Sequence, residues 1–361
     1  MAGVIVCHSH SAQESRIDIE LNSSNGKYGG MKSSSHHYRA ISMLLLATLF
    51  WGISFPIMKA FLLIQQQALP GGSSWFFTAF CLVNRFGVAA IILMLWHRKT
   101  LHKITASEFQ QGLGLGLFGA SGLLLQMDGL AYIPASTSAF LTQLYCIIVP
   151  IFVAVTTRRS PPWIVWVSCI IVLIGVAILS QLNWRDIHLG RGETETLLGS
   201  CLFTGQILWL DRPCYAKNNT AHFTVIMFVV MALSCVPVAL ATMNQLTDWL
   251  TAWSSPSAAL YMAVLVGACT LGSYLLMNYW QPSVTATEAG LVYCVEPVFA
   301  SAYALFLPAL LSKLSRIEYA NETLTNNLLW GGGLIFGANI LMQVMPLLSS
   351  KVLVPKQSEI D

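Results

Sequence analysis

Ten apolar stretches follow one another along this chain, at 40–64, 73–96, 109–132, 136–157, 161–182, 196–216, 222–243, 257–280, 284–310 and 326–348. Each is close to the ~20 residues an α-helix needs to cross ~30 Å of hydrocarbon. The stretches are continuously apolar, whereas a membrane β-barrel is written in alternating segments of ~10 residues. The connections are short, the longest being Arg185–Thr194 and Leu311–Thr325, so none holds a soluble domain. Charged residues make up only 10% of the chain, against ~25% in a soluble domain, too few to coat a globule.

The two halves carry the same pattern. Tyr132, Ser136, Ala139, Leu144, Pro150 and Phe152 are matched by Tyr279, Ser283, Ala286, Leu291, Pro297 and Phe299, each pair 147 positions apart. Five spans in the first copy oblige the second copy to enter from the opposite side, giving an inverted repeat. The sequence thus predicts an all-α integral membrane protein of ten transmembrane helices arranged as two inverted five-helix repeats. Its parts are a polar, disordered cytoplasmic tail over 1–39, repeats over 40–182 and 196–348, and a cytoplasmic C-terminal tail over 349–361. The matched prolines each remove a helical hydrogen bond and are expected to loosen their helices at symmetric points. The alternative is that proline is simply frequent in membrane helices.

Lys and Arg set the orientation. With the N-terminus inside, thirteen of the 19 lie in inner segments and four (Arg185, Arg191, Lys313 and Arg316) in outer ones. That bias puts both termini in the cytoplasm of a multi-pass cell (inner) membrane protein.

Ionisable residues at membrane depth cost several kcal/mol unless paired or wet. Arg85 falls near the middle of the second stretch and Glu296 near the middle of the ninth. They are expected to face a central cavity, to pair when it is empty, and to exchange partners with a zwitterionic substrate; the alternative is a static ion pair between helices. Trp51, Tyr293 and Trp280 supply a candidate aromatic wall. Gln126, Gln143, Gln206, Asn278, Asn339 and Gln343 are neutral polar groups at depth, able to contact substrate or bond between helices. The candidate substrate-binding set is Trp51, Arg85, Gln143, Asn278, Tyr293 and Glu296. Lys59 is expected to reach the outer interface with its long stem. Asp128 and Glu288 lie near span ends, where water is close.

Several chemistries are unsupported. Gly114-x-Gly116-x-x-Gly119 has the dinucleotide-binding spacing but sits inside an apolar stretch, not after a strand; Gly112-x-x-x-Gly116 suits close helix packing instead. No Walker A, HExxH or GxSxG sequence occurs, and the histidines lie outside the stretches or at their ends, which disfavours an intramembrane enzyme. The nine cysteines show no CxxC spacing, so neither a disulfide framework nor a zinc site is expected. No cofactor is implied. The expected partners are a small-molecule substrate and the lipid bilayer, without nucleic acid, and a homodimer is compatible with the sequence.

Leu49-Phe50-Trp51-Gly52-Ile53-Ser54-Phe55 with Lys59 resembles the opening span of EamA-type transporters of the drug/metabolite transporter superfamily. Asn84-Arg85-Phe86 resembles their second span, and Tyr132 through Pro150-Ile151-Phe152 their third-to-fourth junction. Gly205 to Arg212, Glu296-Pro297-Val298-Phe299 and Gly332 to Gly337 resemble later segments, so the likeness runs over about 40–348. It implies ten helices and alternating access for small organic metabolites, with export or exchange of amino acids and related compounds common in the family. The rival cargo in the same superfamily is a nucleotide sugar or phosphorylated sugar, against which the single central arginine weighs. A non-coupled channel is the rival mechanism. The long N-terminal tail and the long 311–325 connection depart from the family pattern.

Overall fold

The computed structural model describes residues 29–158, 163–179 and 190–352 and is helical throughout, with no strand among the described residues. The first half holds α1 (Gly29–Ala68), α2 (Ser74–His97), α3 (Ala106–Gly129), α4 (Ala135–Thr142), α5 (Tyr145–Thr157) and α6 (Trp163–Leu179). The second half holds α7 (Arg191–Leu210), α8 (Thr220–Thr242), α9 (Pro256–Val266), a π-helical turn at Gly267–Gly272, α10 (Ser273–Trp280), α11 (Ala286–Tyr293), α12 (Glu296–Ala304), α13 (Leu307–Ser315) and α14 (Asn326–Val352).

Among the described residues, five helical segments are long and apolar enough to cross a membrane: His36–Ala68, Ser74–His97, Ala135–Thr156, Thr220–Thr242 and Pro256–Ser283. A sixth is α12 with α13 if that pair, bent by 54°, counts as one span. α3 and α7 fall outside this group because α3 is interrupted by six glycines and several glutamines, and α7 opens on Arg191-Gly192-Glu193-Thr194-Glu195. Residues 29–39, expected to belong to a disordered tail, instead extend α1, so that part of the expectation is corrected; residues 1–28 and 353–361 lie outside the described residues.

The duplicated stretches are each broken. The first break falls at Gln143–Leu144, between α4 and α5, and the second at Cys294–Val295, between α11 and α12. Pro297 sits in the first turn of α12, where a missing N–H leaves no bond unmade. Pro150 instead lies inside α5, beyond its break. The breaks are therefore displaced by about one helical turn relative to the matched prolines. Proline alone does not set them. The cysteine expectation also needs one correction, since Cys294 at the second break is disulfide-bonded.

Packing runs across the halves rather than within them. α3 lies against α7 and α8, α2 against α8, α6 against α14, α1 against α10 and α12, and α4 and α5 against α7. Glycines on α3 allow this. A Cβ at Gly112 would stand 2.6 Å from Ile226 Cβ and from the Phe223 carbonyl of α8, and one at Gly116 2.6 Å from Val230 Cβ. On the other side, Gly114 meets Trp209 and Gly122 meets Phe203 of α7. The Gly114-x-Gly116-x-x-Gly119 spacing thus places α3 between two helices of the other half. Phe55, Phe61, Phe80, Phe86 and Phe228 are among the fully buried rings of the main core.

Candidate substrate site

Both broken helices aim their breaks at one cavity. Thr142, the last residue of α4, and Tyr145, the first of α5, line it from the first half; Tyr293, the last of α11, and Glu296, the first of α12, line it from the second. The space between them, open mouth included, is about 540 Å³. A break frees carbonyls that need new donors. The Thr142 carbonyl accepts from Ser200 Oγ of α7 at 2.8 Å, while the Thr142 hydroxyl accepts from Gln126 Nε2 of α3 at 2.7 Å. Ser54 of α1, with Phe203 and Gln206 of α7, completes the floor and walls.

Three aromatic rings form one wall. Trp51 stands edge-on to Tyr274 at 5.6 Å and to Tyr293 at 5.3 Å between ring centroids. Tyr274 is wedged against Phe86 and Phe228, both at 5.8 Å. Tyr293 donates its hydroxyl to Gln281 Oε1 at 2.9 Å, and Gln281 Nε2 in turn donates to the Ile207 carbonyl at 3.1 Å. These contacts fix the ring positions. The indole Nε1 of Trp51 is buried and has no hydrogen-bond acceptor.

Arg85 and Glu296 both line the cavity, and both are buried. The expected ion pair between them is absent among the described residues, because each is held by its own side of the cavity. Arg85 donates from Nε to Thr270 Oγ1 at 2.5 Å and from Nη2 to the Cys269 carbonyl at 2.6 Å, with Nη1 3.4 Å from Met58 Sδ. Thr270 and Cys269 belong to the π-helical turn, an arrangement that recurs at functional sites. Five N–H donors less these three leave two for a ligand. Glu296 accepts from Gln143 Nε2 at 3.4 Å, and its carboxyl also stands at the N-terminus of α12, where the helix dipole favours negative charge.

The six residues chosen from sequence therefore fall in three places. Trp51, Arg85, Tyr293 and Glu296 line the cavity. Gln143 stands behind Glu296, in the first break. Asn278 lies outside the lining, donating to Thr224 Oγ1 of α8 at 2.9 Å. One residue earlier, Met277 does reach the cavity, since each residue turns the helix by about 100°. Trp280 is also outside it, its ring tilted against His36 at 5.4 Å between centroids and lying beneath Arg39. The side chains of Asn339 and Gln343 lie outside the described residues. Lys59 is half-buried and donates to the Leu130 and Ile133 carbonyls, just after α3, at 2.5 and 2.8 Å. Tyr145, Tyr274, Thr142, Ser54 and Thr270 had escaped notice in the sequence. The spacing Gly267-Ala268-Cys269-Thr270-Leu271-Gly272, two glycines bracketing a polar residue, is the signal that marks the last of them.

Comparison with known proteins agrees with this architecture. Residues 38–181 match the EamA-like transporter family. A protein of Archaeoglobus fulgidus described as an uncharacterized transporter is 22% identical over 297 residues, 81% of this chain and 84% of its own length. A solved crystal structure superposes over 85% of this chain and 98% of its own with a TM-score of 0.57 at 15% identity, which shows a shared fold.

Proposed function

We propose that this chain is an EamA-type transporter of the drug/metabolite transporter superfamily, as the family match over residues 38–181 and the transporter-named relative support, and that it carries small zwitterionic metabolites, amino acids or close relatives, by alternating access across a cell membrane. The observation that carries the reading is one cavity with a guanidinium and a carboxyl on opposite halves, neither neutralising the other. A buried charge needs a partner. An amino acid supplies both: its carboxylate takes the two free donors of Arg85, and its ammonium meets Glu296 and the faces of Trp51 and Tyr274. Arg85 is the sole basic residue of the lining, too little positive charge for a nucleotide sugar or sugar phosphate.

Ten spans in two inverted repeats remain the best account of the path. The helix contacts support it. Exchanging each span of one half with its counterpart in the other turns the α3–α7 contact into the contact of α1 with the α9–α10 span. The same exchange turns the α1–α12 contact into that of α7 with α4 and α5, and both members of each pair are present. A pseudo-two-fold axis requires such self-consistency, and five spans per half make it lie in the membrane plane. Both termini then face the cytoplasm, as the Lys and Arg bias asks.

Counterflow of radiolabelled amino acids in proteoliposomes tests the proposal. Wild-type protein is expected to show saturable exchange, lost in Arg85→Gln and in Glu296→Gln. Exchange unaffected by both substitutions would remove the two residues from the site, and single-channel currents would replace the carrier with a pore.

A further inference from the structure

A second polar cluster, its two carboxyls buried and its guanidinium partly exposed, ties the end of α3 to the start of α7, outside the cavity. Arg191 donates from Nη2 to Asp128 Oδ2 at 2.6 Å and from Nε to Glu195 Oε1 at 2.7 Å. The guanidinium lies over the Tyr132 ring at 4.6 Å and near the Trp75 ring at 5.7 Å. Asp128 was expected to be near water, yet it is fully buried, and Glu195 is nearly so. The two carboxyls share the one guanidinium, which brings them side by side. The oxygens that Arg191 leaves over, Asp128 Oδ1 and Glu195 Oε2, are buried and have no other donor.

Two ionised carboxylates on one guanidinium would repel each other and leave two buried oxygens, Asp128 Oδ1 and Glu195 Oε2, without a donor. One proton resolves it: the protonated carboxyl becomes the donor and the ionised one the acceptor. From this geometry we infer that Asp128 and Glu195 form a proton-binding site, and that this site couples transport to the proton gradient. The inference rests on the carrier reading above. Glu195 stands one residue ahead of its apolar stretch. Burial, less the pull of Arg191 and with the push of Asp128, raises its carboxyl to about 7. The other charged groups at this end are committed. Lys59 is held by the carbonyls of the turn after α3, and Glu322 bonds Ser136 at the start of α4. Tyr132 shares its hydroxyl with Ser74 of α2.

The consequence follows from charge. With the proton, the cluster is neutral: one guanidinium, one carboxylate, one acid. Without it, the cluster carries one net negative charge in a buried crossing. That crossing is tight, since a Cβ at Gly129 would stand 2.7 Å from the Gly192 carbonyl. Deprotonation favours opening the crossing to water. Gln126, two residues before Asp128, lines the cavity, so the same helix end reports to the substrate site.

Infrared titration of the purified full chain from about pH 5 to about pH 9 reads the proton directly. Wild-type protein is expected to lose a protonated-carboxyl band through the neutral range, and Glu195→Gln to lack that band; if Asp128→Asn folds, it should lack it too. In proteoliposomes, a pH gradient is expected to drive uphill accumulation of a mixture of radiolabelled neutral amino acids by wild type. Glu195→Gln should accumulate no more than protein-free liposomes, yet retain counterflow at equal pH. A band that persists in Glu195→Gln overturns the proton site. Gradient-driven accumulation that survives the substitution overturns the coupling. Counterflow absent from the wild type would instead refute the carrier reading, while the infrared result still decides the proton site.

Discussion

At the scale of single residues, the most telling atom is the Trp51 indole nitrogen. It is buried, lines the cavity and has no acceptor, although an unmet buried donor costs about 1–3 kcal/mol. A substrate acceptor would satisfy it. Trp51→Phe keeps an aromatic ring between Tyr274 and Tyr293 and removes the unmet donor, so thermal stability in detergent should hold or rise slightly. The half-saturation concentration for counterflow should rise about fivefold to tenfold, the worth of one hydrogen bond of about 1–1.4 kcal/mol. A variant with unchanged half-saturation would show that the nitrogen does not meet the substrate. The same scale explains what could be read in advance. Arg85 and Glu296 stand out because charge inside an apolar run is costly wherever it points. Asn278 was misplaced because a neutral amide is tolerated on any face, and its direction around the helix depends on neighbours that only folding supplies. Asp128 was misread for a related reason: its partner Arg191 is far away in sequence and becomes adjacent only when α3 meets α7.

At the scale of elements, helix breaks and glycine contacts govern the architecture. Apolar runs announced the helices, but not the breaks at Gln143–Leu144 and Cys294–Val295 or the π-helical turn, because those depend on which freed carbonyls find donors in other helices. The glycines of α3 make a sharper test. Ala at Gly112 or Gly116 places a Cβ 2.6 Å from side chains of α8, with backbone carbonyls at 2.6 and 2.9 Å, so the helices must separate. Overpacking of this kind costs about 1–3 kcal/mol. Gly333 of α14 has nothing within 4 Å of the same position. Gly333→Ala should therefore be neutral or gain up to about 1 kcal/mol from helix propensity. Thermal melting of the three variants in one detergent should separate them in that order; a Gly112→Ala protein melting with Gly333→Ala would mean that α3 and α8 are not in contact.

At the scale of the molecule, the halves are joined more closely to each other than each is within itself. α3 lies between α7 and α8, α2 packs on α8, and α6 packs on α14. A five-helix half standing alone would leave those faces without their partners, including the glycine-lined surface of α3 and the buried carboxyl of Asp128, stripped of Arg191. Lipid can cover apolar faces, but it cannot neutralise an orphaned carboxylate or fill a groove shaped for a neighbouring helix. The duplication visible in the sequence therefore marks two copies of a pattern, not two independently stable units. Dividing the chain between residues 182 and 190, ahead of Arg191, tests this. A tagged first half expressed alone is expected to aggregate or be degraded. Expressed together, the halves should co-purify and restore amino-acid counterflow, because the cross-half helix packing and hydrogen bonds described above are non-covalent and available to separate chains. A first half that melts cooperatively by itself would contradict the cross-half packing, and would make the cavity an interface between preformed units rather than a product of their joint folding.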